Sequence, residues 1–186
     1  MTARLTVLRA DDHLRMAWPN GGGTTYQVAT SPEGAGLDTF DWRVSLAEVA
    51  SSGPFSSLPG VDRILVLVEG DGMELVVDGR VVPLGRHDVV RFAGEADTAC
   101  TLTAGPTRDL NVMTRRGRCT ASLDIVTVAG SATAEPVPDA TTMLVVLDGQ
   151  VRADEVRLWA QDVLVLDRVV VLRGTATAAR IVISPS

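Results

Sequence analysis

The sequence predicts an all-β protein, built as two interlocked jelly-roll-like barrels in one chain. Three observations carry that expectation. No stretch of ten or more residues shows a helical apolar period, while two-residue alternation and short apolar runs recur from end to end. Turn signals rich in Gly, Asp and Pro separate those runs. Two blocks also echo each other. Ile64-Leu65-Val66-Leu67-Val68-Glu69-Gly70 resembles Met143-Leu144-Val145-Val146-Leu147-Asp148-Gly149, and His87-Asp88-Val89-Val90 resembles Gln161-Asp162-Val163-Leu164. An apolar strand, an acidic-Gly turn, a returning strand and an Asp-led strand thus recur in one order, the grammar of paired antiparallel sheets.

Taken in order, residues 4–8 alternate and read as a first strand. Asn20-Gly21-Gly22-Gly23 suits neither a helix nor a strand interior. It makes a turn, with Asn20 either on the surface or pointing in from a pocket rim. Residues 26–30 form a strand and 31–38 a loop. Over residues 42–49, Trp42, Val44 and Leu46 share one face while Arg43 and Ser45 share the other. Arg43 then lies on a solvated outer face, which the alternation favours, or projects into a barrel interior. Residues 51–60 are a Gly/Pro loop, and 64–68 are continuously apolar, as in a strand buried on both faces. Gly70-Asp71-Gly72 and Asp78-Gly79 read as hairpin turns flanking a strand at 73–77. Strands follow at 88–92 and 98–103. Beyond them Leu110, Val112 and Thr114 share one face, and Asp109, Asn111 and Met113 the other.

After a strand at 122–128, residues 130–139 read as a linker. An N-terminal block thus covers 1–129 and a C-terminal block 130–186. The second block has strands at 143–147, 156–159, 162–166, 169–172 and 178–183, with a turn at Asp148-Gly149. It is too short for a barrel of its own. The strands at 5–8 and 26–28 are available to complete it, so one unit over 1–186 is expected.

Bulk properties exclude several functions. A chain of 186 residues that is 46% hydrophobic but only 4% aromatic packs an aliphatic core. The net charge of −6, with no basic run beyond Arg115-Arg116-Gly117-Arg118, argues against nucleic acid. The N-terminus has no apolar signal segment, and no apolar run approaches the roughly 20 residues that span a bilayer. A cytoplasmic protein without a membrane partner is expected. Cys100 and Cys119 read as free thiols. His13 and His87 are too far apart to form a ligand pair, so no metal and no cofactor are expected. Neither a Gly-x-Ser-x-Gly elbow nor a dinucleotide glycine motif occurs.

What remains is a polar set in the first block: Asn20, Arg43, Ser45, Glu48, Ser56, Arg63, Asp109 and Asn111. Phe55 and Met113, beside them in sequence or on the same strand face, complete the ligand-binding candidates. Two arginines near one cavity need anionic partners. If Glu48 or Asp109 pairs with them, the set is structural. If one guanidinium is left over, it is a fork for a carboxylate or phosphate.

Five runs occur together: Trp18-Pro19-Asn20-Gly21-Gly22-Gly23-Thr24, Trp42-Arg43-Val44-Ser45-Leu46-Ala47-Glu48-Val49, Gly53-Pro54-Phe55-Ser56, Pro59-Gly60-Val61-Asp62-Arg63, and Asp109-Leu110-Asn111-Val112-Met113-Thr114-Arg115-Arg116-Gly117. In order and spacing they resemble the HutD/Ves family over the first two-thirds of the chain. That resemblance implies a bicupin fold. It also implies a regulatory, metabolite-binding role linked to histidine utilisation, with a formylated glutamate-like intermediate as ligand. The chain departs from many relatives in having Asn20 directly after Pro19, without an intervening basic residue. The expected function is therefore a non-enzymatic regulatory protein that binds a small anionic metabolite, a carboxylate. One alternative is a metal-independent isomerase or lyase using Glu48 or Asp109 as acid/base. Another is a stress or assembly protein without a ligand. A homodimer is the assembly considered.

Overall fold

A computed structural model of the chain describes residues 5–186. Arg4, expected to open the first strand, lies outside them. The strands in chain order are β1 (Thr6–Leu8), β2 (Leu14–Ala17), β3 (Gly23–Ser31), β4 (Trp42–Val49), β5 (Gly53–Pro54), β6 (Val61–Glu69), β7 (Met73–Val77) and β8 (Arg80–Leu84). They continue with β9 (Val89–Ala93), β10 (Thr98–Leu102), β11 (Thr107–Arg115), β12 (Cys119–Ala134), β13 (Thr141–Ala153), β14 (Val156–Trp159), β15 (Val163–Leu166) and β16 (Val170–Pro185). A 3-10 turn at Ala10–Asp12 is the one helical element among the described residues. The protein is all-β, and no helix is long and apolar enough to cross a membrane.

Two compact units divide the chain, one of residues 5–13 with 120–185, the other of residues 14–119 with 186. The first unit is one six-stranded antiparallel sheet in the order β1-β15-β13-β16-β12, with β14 paired to β13. Its N-terminal strand enters through β1, where Thr6 faces Val165 and Leu8 faces Val163. Leu144, Val146, Val151, Leu158, Leu164 and Leu172 form its aliphatic core. Residues 26–28, expected as a further strand of this block, lie in β3 and pair with β2 and β4 of the other unit.

The second unit holds a six-stranded sheet, β2-β3-β4-β11-β6-β9, and a four-stranded sheet, β5-β10-β7-β8. They pack face to face. Val49, Leu65 and Leu67 of the larger sheet cluster with Met73, Leu75, Leu84 and Cys100 of the smaller. Neither sheet pairs back on itself into a closed barrel. Pro54 and Pro83 sit in β5 and β8, the two edges of the smaller sheet, and lack the N–H that onward pairing would need.

The repeat seen in the sequence has a structural counterpart inside each unit. His87 and Gln161 both adopt left-handed backbone, at φ 69° and 71°. Each donates its N–H at 2.7 Å to an apolar strand, His87 to Leu67 O and Gln161 to Val146 O. The following aspartate caps the turn: Asp88 Oδ2 accepts from Gly85 N at 2.8 Å and Asp162 Oδ2 from Trp159 N at 3.0 Å.

Three sequence expectations need correction. Residues 130–134 are not linker but the end of β12, where Gly130 at φ 87° lets a long strand continue. Asp148-Gly149 is not a turn. β13 runs through it with a register shift between Val146 and Asp148, because β16 keeps pairing on both sides. The run 169–172, except Val169, and the run 178–183 are likewise parts of the single strand β16.

Asp162 does more than Asp88. It also accepts from Arg9 Nη1 at 2.7 Å and from Ala10 N at 3.0 Å, tying the segment after β1 to the sheet. We therefore expect Asp162→Ala to cost about 3 kcal/mol and Asp88→Ala about 1 kcal/mol. Urea unfolding of both variants checks this, and equal losses would contradict the added role of Asp162.

Candidate functional site

The site follows from strand parity. On β4, β11 and β6, residues of odd number face the smaller sheet, and the register lines them into rows. Arg43, Met113 and Arg63 form one row, continued by Phe92 on β9. Ser45, Asn111 and Leu65 form the next, and Ala47, Asp109 and Leu67 the third. Towards one end this inner face is aliphatic and packs on the smaller sheet. Towards the other it is polar and opens into a cavity of about 460 Å³.

Arg43, Ser45, Arg63, Asp109, Asn111 and Met113 are all buried and all line the cavity. Asn20, Phe55 and Ser56 line it from the loops. Asn20 sits exposed at the rim, and its Oδ1 accepts from Gly22 N at 3.0 Å, which fixes the turn. Gly23 behind it has no room for a side chain: a Cβ there would stand 2.3 Å from Glu48 O. The outer-face position that alternation favoured for Arg43 is overturned. The opposite face, with Val44, Leu46, Leu110 and Val112, is buried as well, so polarity could not mark the solvent side.

Glu48 is the one expected site residue that the structure removes. Its even number puts it on the face of Val44 and Leu46, away from the cavity. There it accepts from Tyr26 Oη and from Arg108 Nη2, both at 3.3 Å, in a cross-strand ladder that Glu69 extends.

The arginines are held without carboxylate contact. Arg63 is 6% exposed, and its guanidinium lies between the rings of Phe55 and Phe92, 5.1 and 5.0 Å from their centroids. Arg63 Nη2 donates to Asn111 Oδ1 at 2.8 Å, and Asn111 Nδ2 donates to Asp109 Oδ1 at 2.6 Å. Arg63 Nε and Asp109 Oδ2 are buried without a hydrogen-bond partner. Arg43 donates through Nε to Gln27 Oε1 at 3.2 Å, its only hydrogen bond within the described residues. Desolvation lowers the pKa of both arginines, that of Arg63 to about 10, so Arg63 keeps its charge at neutral pH. Burial pushes the Asp109 carboxyl up to about 7, although the positive charge of Arg63 and the hydrogen bond from Asn111 pull it down.

Phe92, Gln27 and the apolar rim residues Trp18, Met16 and Leu58 were not anticipated. Phe92 faces Arg63 only through the β6–β9 register, which no local motif announces. The cavity lining has no His, Cys or Glu and a single Asp, a donor set that does not fit a transition metal. Among the described residues, no three His, Cys, Asp or Glu side chains come together as a metal group.

Two facing antiparallel sheets around a polar cavity define a cupin-like β-protein. The fold is shared by a cupin 2 conserved barrel domain protein from Leptotrichia buccalis, at TM-score 0.58 and 11% identity over 87% of this chain and 88% of that one. The chain belongs to the HutD family, whose model matches residues 10–183. Structurally it is similar to HutD from Pseudomonas fluorescens SBW25, with a TM-score of 0.85 and 30% identity over 98% of this chain and 100% of that one. In sequence it is 45% identical over 112 residues to an uncharacterised 21.2 kDa protein in the hutC 3′ region of Pseudomonas putida, covering 60% of this chain and 58% of that protein. It is also 39% identical over 110 residues to the protein Ves of Citrobacter koseri, covering 58% and 56%. The chain thus aligns over less than three-fifths of the length of these curated relatives. The resemblance noted over the first two-thirds extends, in the family match, through the last third as well.

A raised carboxyl makes a sign-definite prediction. Unfolded, Asp109 ionises near its ordinary value of about 4; folded, it holds its proton to about 7. Its contribution to stability is present at acid pH and lost as pH rises between those values, then stays flat. Urea unfolding at pH 5 and pH 8 should show wild type losing more stability than Asp109→Asn, by on the order of 1–3 kcal/mol. Parallel losses in the two proteins would contradict the assignment.

Proposed function

We propose that the chain is a non-enzymatic, cytoplasmic binding protein for a small carboxylate metabolite, acting as a regulator in histidine utilisation. The observation that carries this reading is a cavity with two buried guanidinium groups and no ion-paired acid. Buried charge without a counter-charge is costly, and a carboxylate ligand with two acceptor oxygens relieves it. The net charge of −6 supplies no long-range attraction for an anion, so affinity rests on these local donors. The apolar rim of Met16, Trp18 and Leu58, with Met113 on the inner wall, suits a ligand with a short carbon skeleton. The similarity to the protein in the hutC 3′ region supports the link to histidine utilisation, where a formylated glutamate carries suitable carboxylates. The two units are read as the two halves of a bicupin.

A second reading, a metal-independent isomerase or lyase, draws support from Asp109. A fully buried carboxyl beside the cavity with a pKa near neutrality is a suitable acid/base. Glu48, facing away, has no part in it. Recovery of unchanged ligand after prolonged incubation separates a binder from an enzyme.

Titration calorimetry with glutarate and with N-formyl-L-glutamate tests the leading reading. Arg63→Met should weaken binding by about 2–5 kcal/mol, the usual effect of truncating one side of a buried charged pair. Melting curves run beside it show whether the variant is folded. Binding of neither dicarboxylate to the wild type, or full affinity in a folded Arg63→Met protein, overturns the proposal.

A further inference from the structure

Asp109 sits in the third row of the inner face, between Ala47 and Leu67, and is 1% exposed. Asp109 lines the cavity; its Oδ1 accepts from Asn111, and its Oδ2 is buried with no hydrogen-bond partner. The guanidinium of Arg63 reaches it only through the amide of Asn111. The titratable groups around it are few: Arg63 from β6, Arg43 from β4 and the Cys100 thiol from β10. The remaining lining from β2, β3, β5 and β11 is Ala17, Thr25, Pro54, Asn111 and other groups that do not titrate.

Resting on the carboxylate-capture reading, we propose that the pocket takes up its anion together with a proton, and that the proton lands on Oδ2 of Asp109. Two effects of the incoming carboxylate act in one direction. Its charge adds to that of Asp109 across a poorly screened cavity. It competes for Arg63, the group that most favours ionised Asp109 by charge. The neutral acid that results is a new donor at the cavity wall, able to bond an acceptor oxygen of the ligand. The Arg63–Asn111–Asp109 chain then selects as well as holds. An anion bearing a neutral carbonyl or second carboxyl is favoured, whereas an ammonium group would keep Asp109 ionised and release the proton requirement. Burial lowers Arg63 only to about 10, so it remains mostly charged over the pH range of the measurement.

Calorimetric titration of the whole protein with glutarate and with N-formyl-L-glutamate, in Tris and in triethanolamine at pH 8, counts the protons bound. The apparent enthalpies should differ between buffers by the equivalent of about half to one proton taken up per site. Affinity should fall about tenfold between pH 8 and pH 9, as expected when only the protonated form binds. In Asp109→Asn the buffer dependence should vanish and the affinity should become flat across that interval. Binding with equal enthalpies in both buffers, or proton uptake that persists in Asp109→Asn, overturns this inference and leaves carboxylate capture standing. If neither dicarboxylate binds the wild type, both fall together.

Discussion

The buried guanidinium of Arg63 is the interaction on which the pocket depends. A desolvated cation is tolerable only where something else holds it. Here two aromatic faces and one amide oxygen do so. Each of these comes from a different element: Phe55 from the loop after β5, Phe92 from β9 and Asn111 from β11. The pairing of β5 that leads into the Phe55 loop, the β6–β9 register and the β6–β11 register must all be correct at once. Asn111 then has its amide nitrogen left to occupy, and Asp109 takes it. The geometry of the cavity wall is thus a consequence of satisfying one charge without neutralising it.

Much of this is legible in the amino-acid sequence, for a definite reason. Period-two alternation fixes which residues share a face once a strand is recognised. Arg43 with Ser45, and Asp109 with Asn111 and Met113, therefore group together on strand parity alone. The same rule, applied consistently, excludes Glu48. Proximity in the run Trp42–Val49, not parity, is what groups that residue with the site. What alternation does not reveal is which face is inside when both are covered. Val44, Leu46, Leu110 and Val112 are as buried as the polar set, so the side of Arg43 cannot be read from hydropathy. Phe92 and Gln27 are illegible for another reason. They meet the arginines across strands distant in sequence, and such pairing depends on register alone. Gly130 and Gly149 look like turn signals, but long strands absorb them as irregularities because neighbouring strands hold both sides.

The repeated turn shows how one frame serves two ends. The apolar strands of the two units match residue for residue around Leu67 and Val146, through the backbone bonds of His87 and Gln161. Counting back from those anchors, Thr142 stands where Arg63 stands in the other unit. Across the strand, Ala178 faces Val146 as Asp109 faces Leu67. Thr142 is fully buried, and its hydroxyl is used locally, accepting from Val137 N at 3.0 Å. Ala178 belongs to the aliphatic cluster. Thr142 in place of Arg63 and Ala178 in place of Asp109 are two of the differences that go with an aliphatic core in one unit and a polar cavity in the other.

The identity of the cation matters as much as its place. Every one of the 17 basic residues in this chain is arginine. At position 63 that choice sets how a buried cation is held and whether it stays ionised. Desolvation has already drawn Arg63 down to about 10. A lysine begins about two units lower, and the same burial would bring it close enough to neutral pH for part of its population to lose the charge. It would also lose the planar contact with Phe55 and Phe92 that compensates for missing water. Arginine remains ionised, stacks between the rings, and keeps donors in hand after bonding Asn111. Among the cationic side chains, only arginine meets all three conditions at a position this buried.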